Sequence, residues 1–68
     1  MKAYEELKAM VASFEEDFRK FYEKGNKSAG TRVRKHMADL KRKAQEIRME
    51  VQAMKQADKA AKSETGNE

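Results

Sequence analysis

Residues 14–37, FEEDFRKFYEKGNKSAGTRVRKHM, decide the fold. Phe14, Phe18 and Phe21 recur at helical spacing up to Lys24. Gly25 then offers a residue that tolerates the left-handed conformation ending a helix, and Asn26 is a good N-cap for the next one. Ser28 is the alternative cap, which lengthens the connection by two residues. A helical period resumes at once through Val33 and Met37. Two helices joined by so short a corner become antiparallel neighbours.

The period extends outward from this corner in both directions. Upstream, Tyr4, Leu7, Val11, Phe14, Phe18 and Phe21 are spaced 3,4,3,4,3, an unbroken heptad. Met10 and Tyr22 widen the stripe. This predicts one helix over about residues 2–24. Downstream, Gly30, Val33, Met37, Leu40, Ala44, Ile47, Val51 and Met54 are spaced 3,4,3,4,3,4,3 and predict a helix over about 27–60. The tail KSETGNE lacks apolar residues, so residues 61–68 are expected to fray. The absence of proline and the abundance of Ala, Lys, Glu, Arg and Met agree with long helices.

The expected fold is all-α: an antiparallel, coiled-coil-like two-helix hairpin. Folding the seams together places Phe21 against Gly30, Phe18 against Val33 and Phe14 against Met37. Val11 then faces Leu40, Leu7 faces Ala44, and Tyr4 faces Ile47. Gly30 gains a reason to be glycine, because a side chain there would hold the helices apart. The second helix outruns the first, leaving Val51 and Met54 with no cover from the same chain. A chain of 68 residues also buries little core by itself. Both features point to a homodimer or higher oligomer, most simply a four-helix bundle, with the apolar seam positions as core and contact surface.

Charge is as unevenly distributed as apolar character. Residues 24–43 contain eight Lys or Arg against the single Asp39, a net +7. Residues 1–23 carry four bases and six acids, and residues 44–68 carry four bases and five acids. Projected at about 100° per residue, Lys27, Arg34, Lys35, Lys41 and Arg42 share one strip with Thr31, Ala38 and Gln45. The acids Asp39, Glu46 and Glu50 fall on another face with Arg32 and Lys43. The strip begins at a helix N-terminus, where Ser28 and Thr31 add hydroxyl donors. Hydroxyls, backbone N–H groups and Lys/Arg side chains are the usual phosphate-contacting set. The candidate phosphate contacts are Lys24, Lys27, Ser28, Thr31, Arg32, Arg34, Lys35, Lys41, Arg42 and Lys43. A plain solvated face, with some bases paired to Glu15, Glu16, Asp17 or Glu23, is the competing reading.

Other functions find little support. Cysteine is absent and His36 is the single histidine, so neither disulfides nor thiolate metal sites are available. His36 reads as a surface or seam-flanking residue, and Glu15-Glu16 as a helix-surface pair and not an acid–base pair. GNKSAG shares only fragments of a phosphate-binding loop and lacks its lysine spacing and preceding strand. The expectation is a non-enzyme without cofactor, metal or small-molecule substrate. No apolar run approaches the length of a membrane span, and Glu5 and Glu6 stand where a signal peptide would be apolar. A cytoplasmic protein without a membrane partner is expected. The aromatics belong to the seam, which argues against stacking on single strands, and no sequence-reading DNA motif is present.

The stretch FYEKGNKSAGTRVRKHMADLKRKAQEIRMEV, residues 21–51, resembles the bacterial linker-histone-like family known from chlamydial nucleoid-condensing proteins, including short Bacteroidetes-type members. The shared pattern is Glu23-Lys24-Gly25-Asn26-Lys27, a small residue at 29, Arg32-Val33-Arg34 and a heptad helix beyond. The resemblance covers roughly residues 1–57. It implies a nucleoid-associated protein that binds double-stranded DNA with little sequence preference and compacts or bridges it. It also implies self-association through the helical part. The chlamydial proteins carry a long Lys/Ala-rich tail, of which AMKQADKAAKSETGNE is a vestige, so DNA binding here is expected to rest on the helical corner. The alternative is a coiled-coil oligomerisation or adaptor module whose basic face meets an acidic protein. A membrane-surface helix ranks last, because the apolar stripe is committed to helix packing.

Overall fold

The computed structural model describes residues 1–61, with side chains through residue 57. It is all-helical, with no strand among the described residues. The elements are α1 (Lys2–Ala12), α2 (Glu15–Lys24) and α3 (Lys27–Ala61). The molecule measures 54 × 18 × 17 Å. At about 1.5 Å per residue α3 alone accounts for the long axis.

The expected unbroken helix over 2–24 is a bent one. Ser13 and Phe14 stay right-handed, but with ψ of −11° and −15°, well short of the helical value near −42°. Their amides bond tightly: Ser13 N donates to the carbonyls of both Ala9 and Met10, and Phe14 N donates to Val11 O at 3.0 Å. The Ser13 hydroxyl also donates to Met10 O, at 2.6 Å. A serine hydroxyl competing for the preceding turn's carbonyls bends a helix. The bend accompanies the burial of Phe14, which is 5% exposed. Glu15, Glu16 and Asp17 then occupy the first turn of α2, where negative charge suits the helix dipole.

The corner follows from two residues. Gly25 ends α2 at φ 66°, ψ 24°, the left-handed region that costs an L-residue about 1–2 kcal/mol. Its N–H donates to Phe21 O, and Asn26 N donates to Lys20 O. Asn26 Oδ1 accepts from Ala29 N at 3.0 Å, so Asn26, and not Ser28, caps α3.

Contacts then pair falling with rising residue numbers. Phe21 lies over Gly30, where a Cβ would sit 2.7 Å from two of its ring carbons. Asp17 meets Arg32 and His36, and Glu6 meets Lys43. The aromatic pairing differs from the expected register: Phe14 stacks on His36, centroids 4.5 Å apart, and not on Met37. The covered face of α3 is turned accordingly. Ala29 and Val33 are buried, and His36, Leu40, Lys43 and Ile47 are half-buried, spaced 4,3,4,3,4. Val33, Leu40 and Ile47 belong to the expected seam. Gly30 is half-buried under Phe21 as expected, whereas Ala29 joins the seam and His36 and Lys43 take the places of the exposed Met37 and Ala44. Polar pairing explains the rotation, since it brings His36 and Lys43 within reach of Asp17 and Glu6. The Lys43 stem lies against the helices while its amine reaches a carboxylate.

The remaining expected core residues divide cleanly. Leu7 and Phe18 are half-buried, whereas Tyr4, Val11, Phe21, Met37, Val51 and Met54 are exposed in the single chain. The tail expected over 61–68 lies, from residue 62, outside the described residues.

Candidate nucleic-acid interface

The Asn26 cap fixes where α3 starts, and the covered face fixes how it is turned. Together they aim Lys27, Thr31, Arg34, Lys35, Ala38, Lys41, Arg42 and Gln45 directly away from α1 and α2. All eight are exposed. The strip is therefore a continuous outer face and not part of the packing. Ser28 and Lys24 are exposed at its corner end.

The ten candidate residues are not equally available. Among the described residues, Lys24, Lys27, Arg34 and Lys41 have no carboxylate in ion-pair range. Lys35 and Arg42 share Asp39, at 3.8 and 2.6 Å. Asp39 thus touches the edge of a strip that reads as acid-free in projection. The Arg42 hydrogen bond, joined by Lys35 and opposed by partial burial, holds the Asp39 carboxyl below the usual range. These contacts are on the surface, where a phosphate can replace the carboxylate at little cost.

Arg32 and Lys43 are placed differently. Arg32 Nε donates to Asp17 Oδ1 at 2.8 Å, and His36 Nε2 meets Asp17 Oδ2 at 2.8 Å. Asp17 is only 18% exposed. The Arg32 hydrogen bond, then that of His36, lowers its pKa. Lys43 Nζ donates to Glu6 Oε1 at 2.7 Å and is 19% exposed. The pair lowers the Glu6 pKa and raises that of Lys43, with Glu46 and Glu50 adding to the latter. Lys43 lies against the N-terminal helices, whereas Arg32 stays largely exposed while reaching Asp17 from the flank of α3.

Of the acids weighed as competitors for the basic block, only Asp17 reaches it. Glu15 and Glu16 are held by Arg19, at 2.9 and 2.7 Å. The part played by His36 is the feature the seam reading missed. Its spacing of three from Val33 and four from Leu40 was the available signal.

The flanks of the two-layer arrangement differ in character. Gly30, Met37 and Ala44 each follow a covered residue of α3 and lie on one side, which Phe21 borders at Gly30. Phe18, Phe21 and Tyr22 form an aromatic group there, with ring centroids 5.9 and 5.1 Å apart. Arg32, Asp39 and Glu46 each precede a covered residue and lie on the other side, which is polar. No helix among the described residues is long and apolar enough to cross a membrane.

These features define a small all-α protein with a packed corner, one apolar flank and an outward basic strip. The family model described as Histone H1-like protein Hc1 matches residues 1–57, and the chain belongs to that family. Comparison with curated proteins and with solved structures returns no match.

Proposed function

We propose that this chain is a histone-like, nucleoid-associated protein that binds double-stranded DNA without sequence preference, through phosphate contacts, and compacts or bridges it. The observation that carries the reading is the position of the strip. In a member of a histone H1-like family, exposed bases run along the outer face of α3, opposite its packed face. Lys24, Lys27, Arg34 and Lys41 are the primary contacts, Lys35 and Arg42 join them by exchanging Asp39 for phosphate, and Ser28 and Thr31 supply hydroxyl donors at the corner. A convex strip of flexible bases suits the backbone of a duplex and carries no base-reading geometry. The reading gives the chain no catalytic role.

The protomer in this reading is an antiparallel hairpin, and two protomers associate through the apolar flank. Tyr4, Val11, Phe21, Tyr22, Met37 and Val51 are exposed, large apolar side chains that a second copy could cover. Association there leaves both strips facing outward, which is what bridging requires. Sedimentation or light scattering should give twice the 7.9 kDa chain mass at micromolar concentration. A mass that stays at one chain up to millimolar concentration would remove the dimer.

Fluorescence anisotropy on random duplexes at several salt concentrations tests DNA binding itself. With about five phosphates neutralised, log K should fall against log salt with a slope near −4 to −5. Replacing Arg34 and Lys41 together by alanine should weaken binding equally across sequences and reduce the slope by about 2. No binding at 50 mM salt would exclude the reading and favour an adaptor for an acidic protein.

A further inference from the structure

Arg32 and Lys43 belong to the most basic segment of the chain, yet each is bound to a carboxylate of the N-terminal helices. We propose that Asp17 and Glu6 are internal stand-ins for phosphate: they hold Arg32 and Lys43 out of the DNA-binding surface and so set its affinity below what the basic segment could provide. The inference rests on the DNA-binding reading and concerns how that surface is limited.

The geometry is that of a phosphate contact made within the chain. Arg32 Nε donates to one Asp17 oxygen and His36 Nε2 meets the other, both at 2.8 Å. One carboxylate therefore occupies an arginine and a histidine at once, as a phosphate would. Glu6 Oε1 accepts from Lys43 at 2.7 Å, and Lys2 also approaches Glu6, at 3.9 Å. The contacts that Arg32, His36 and Lys43 make are between helices, separated by 15, 19 and 37 residues along the chain. They differ from the pairs of Arg19 with Glu15 and Glu16, which lie within one helix and away from the basic segment. Arg32 is still 46% exposed, and its long side chain can leave Asp17 for solvent without repacking. Lys43 is more enclosed, so its release requires α1 to move.

Two mechanisms can make an acidic residue depress DNA affinity, and they leave different salt signatures. A distant carboxylate repels the duplex through the general field, which salt screens. A carboxylate that occupies a base removes one phosphate contact, together with the counterion that contact would release. Only the second changes the number of contacts.

The test compares Asp17→Asn and Glu6→Gln with Glu23→Gln in the full chain, titrated on a 20-bp random duplex from 50 to 300 mM salt. Glu23 is exposed, near the corner and without an ion pair among the described residues, so its substitution makes the same charge change and frees no base. Asp17→Asn should steepen the log–log slope by about 0.9 and tighten binding about fivefold to tenfold near 0.1 M salt. Glu6→Gln should act in the same direction and by less, because Lys43 is more enclosed. Glu23→Gln should tighten binding by about twofold or less with the slope unchanged. Circular dichroism of each variant confirms that the helices persist. Should Asp17→Asn unfold, Glu6→Gln carries the test alone.

If the wild-type chain binds and neither variant exceeds the Glu23→Gln control, the inference falls and the DNA reading stands. If the wild type does not bind but Asp17→Asn does, the inference stands and the reading of the native chain falls. If none of the proteins binds, both fall.

Discussion

The two ends of this molecule are built to different standards. At the corner, Phe14, Ala29 and Val33 are buried, Phe21 leaves no room for a side chain at Gly30, and Asp17 ties α2 to α3 through two partners. At the far end, α1 contributes Leu7 and Met10 as half-buried residues, and α3 runs on past α1 with Val51 and Met54 exposed. The basic strip is concentrated at the well-packed end. Under the proposed function, the bases nearest the corner are therefore carried by the better-packed part of α3. The far end leaves its large apolar side chains exposed in the single chain.

The largest effect that could break this contrast is expected at Phe14. Its removal deletes a buried ring that lies against His36, a change that costs about 3–5 kcal/mol. A small domain of this kind has little more than that in total. Phe14→Ala should therefore abolish most helical ellipticity in dilute solution. A cooperative melt within a few degrees of the wild type would show that the corner is not the stable end.

Smaller losses are expected where the corner turns. Gly25→Ala meets no atom within 4 Å but must hold φ near 66°, so it should cost about 1–2 kcal/mol through backbone strain alone. Asn26→Ala removes the side-chain acceptor of the Ala29 amide and should cost about 1 kcal/mol. Thermal denaturation measures both. Equal and negligible shifts would mean that the turn does not hold α2 on α3.

A pH titration compares the Asp17 ion pairs of the corner with the Glu6–Lys43 pair that ties α1 to α3. Asp17 and Glu6 have pKa values depressed below their ordinary 3.8 and 4.5. Their stabilising contribution is complete above those ordinary values and is lost as pH falls through the lower, folded ones. Lys43 is raised above 10.5, so its contribution is complete below that pH and is lost as pH rises through its folded value. The contribution of these three groups to the melting temperature should be level between about pH 4.5 and 10.5 and decline outside that range, with Asp17→Asn flattening the acid limb. An acid limb unchanged by Asp17→Asn would show that the tie across α2 and α3 adds nothing.

The helices, the Gly25-Asn26 corner and the Phe21–Gly30 approach were legible in the sequence, because each rests on local chemistry: apolar period, a glycine that can be left-handed, an amide-accepting side chain. The bend at Ser13 was not. A heptad continues straight through it, and the competing hydroxyl bond reveals itself only in three dimensions. The rotation of α3 was hidden for a related reason. Apolar spacing favours Met37 and Ala44, while the ion pairs of Asp17 and Glu6 favour His36 and Lys43, and a pattern that counts only apolar residues cannot weigh the two. Helical projection sets Arg32 and Lys43 apart from the strip, but a count of apolar and charged positions does not show the carboxylates that hold them. Charge and helical projection locate the strip, but only the fold shows that Arg32 and Lys43 are engaged by Asp17 and Glu6.

The smallest effect is expected at the far end, and it is the most discriminating. Lys2 and Ala3 line a shallow recess with Ile47 and Glu50, so α1 begins level with that part of α3 and, among the described residues, nothing covers Met54, which is 65% exposed. Met54→Ser consequently removes almost no buried area. Its cost in a single chain is the difference in helix propensity, within about 0.5 kcal/mol. In dilute solution the melting temperature should not move. If a second copy covers this end, the same substitution should lower the melting temperature increasingly as concentration rises, because the lost contact then belongs to the assembly. A loss greater than about 1 kcal/mol at low concentration would instead mean that the far end packs within the chain, and the contrast between a finished corner and an open end would no longer hold.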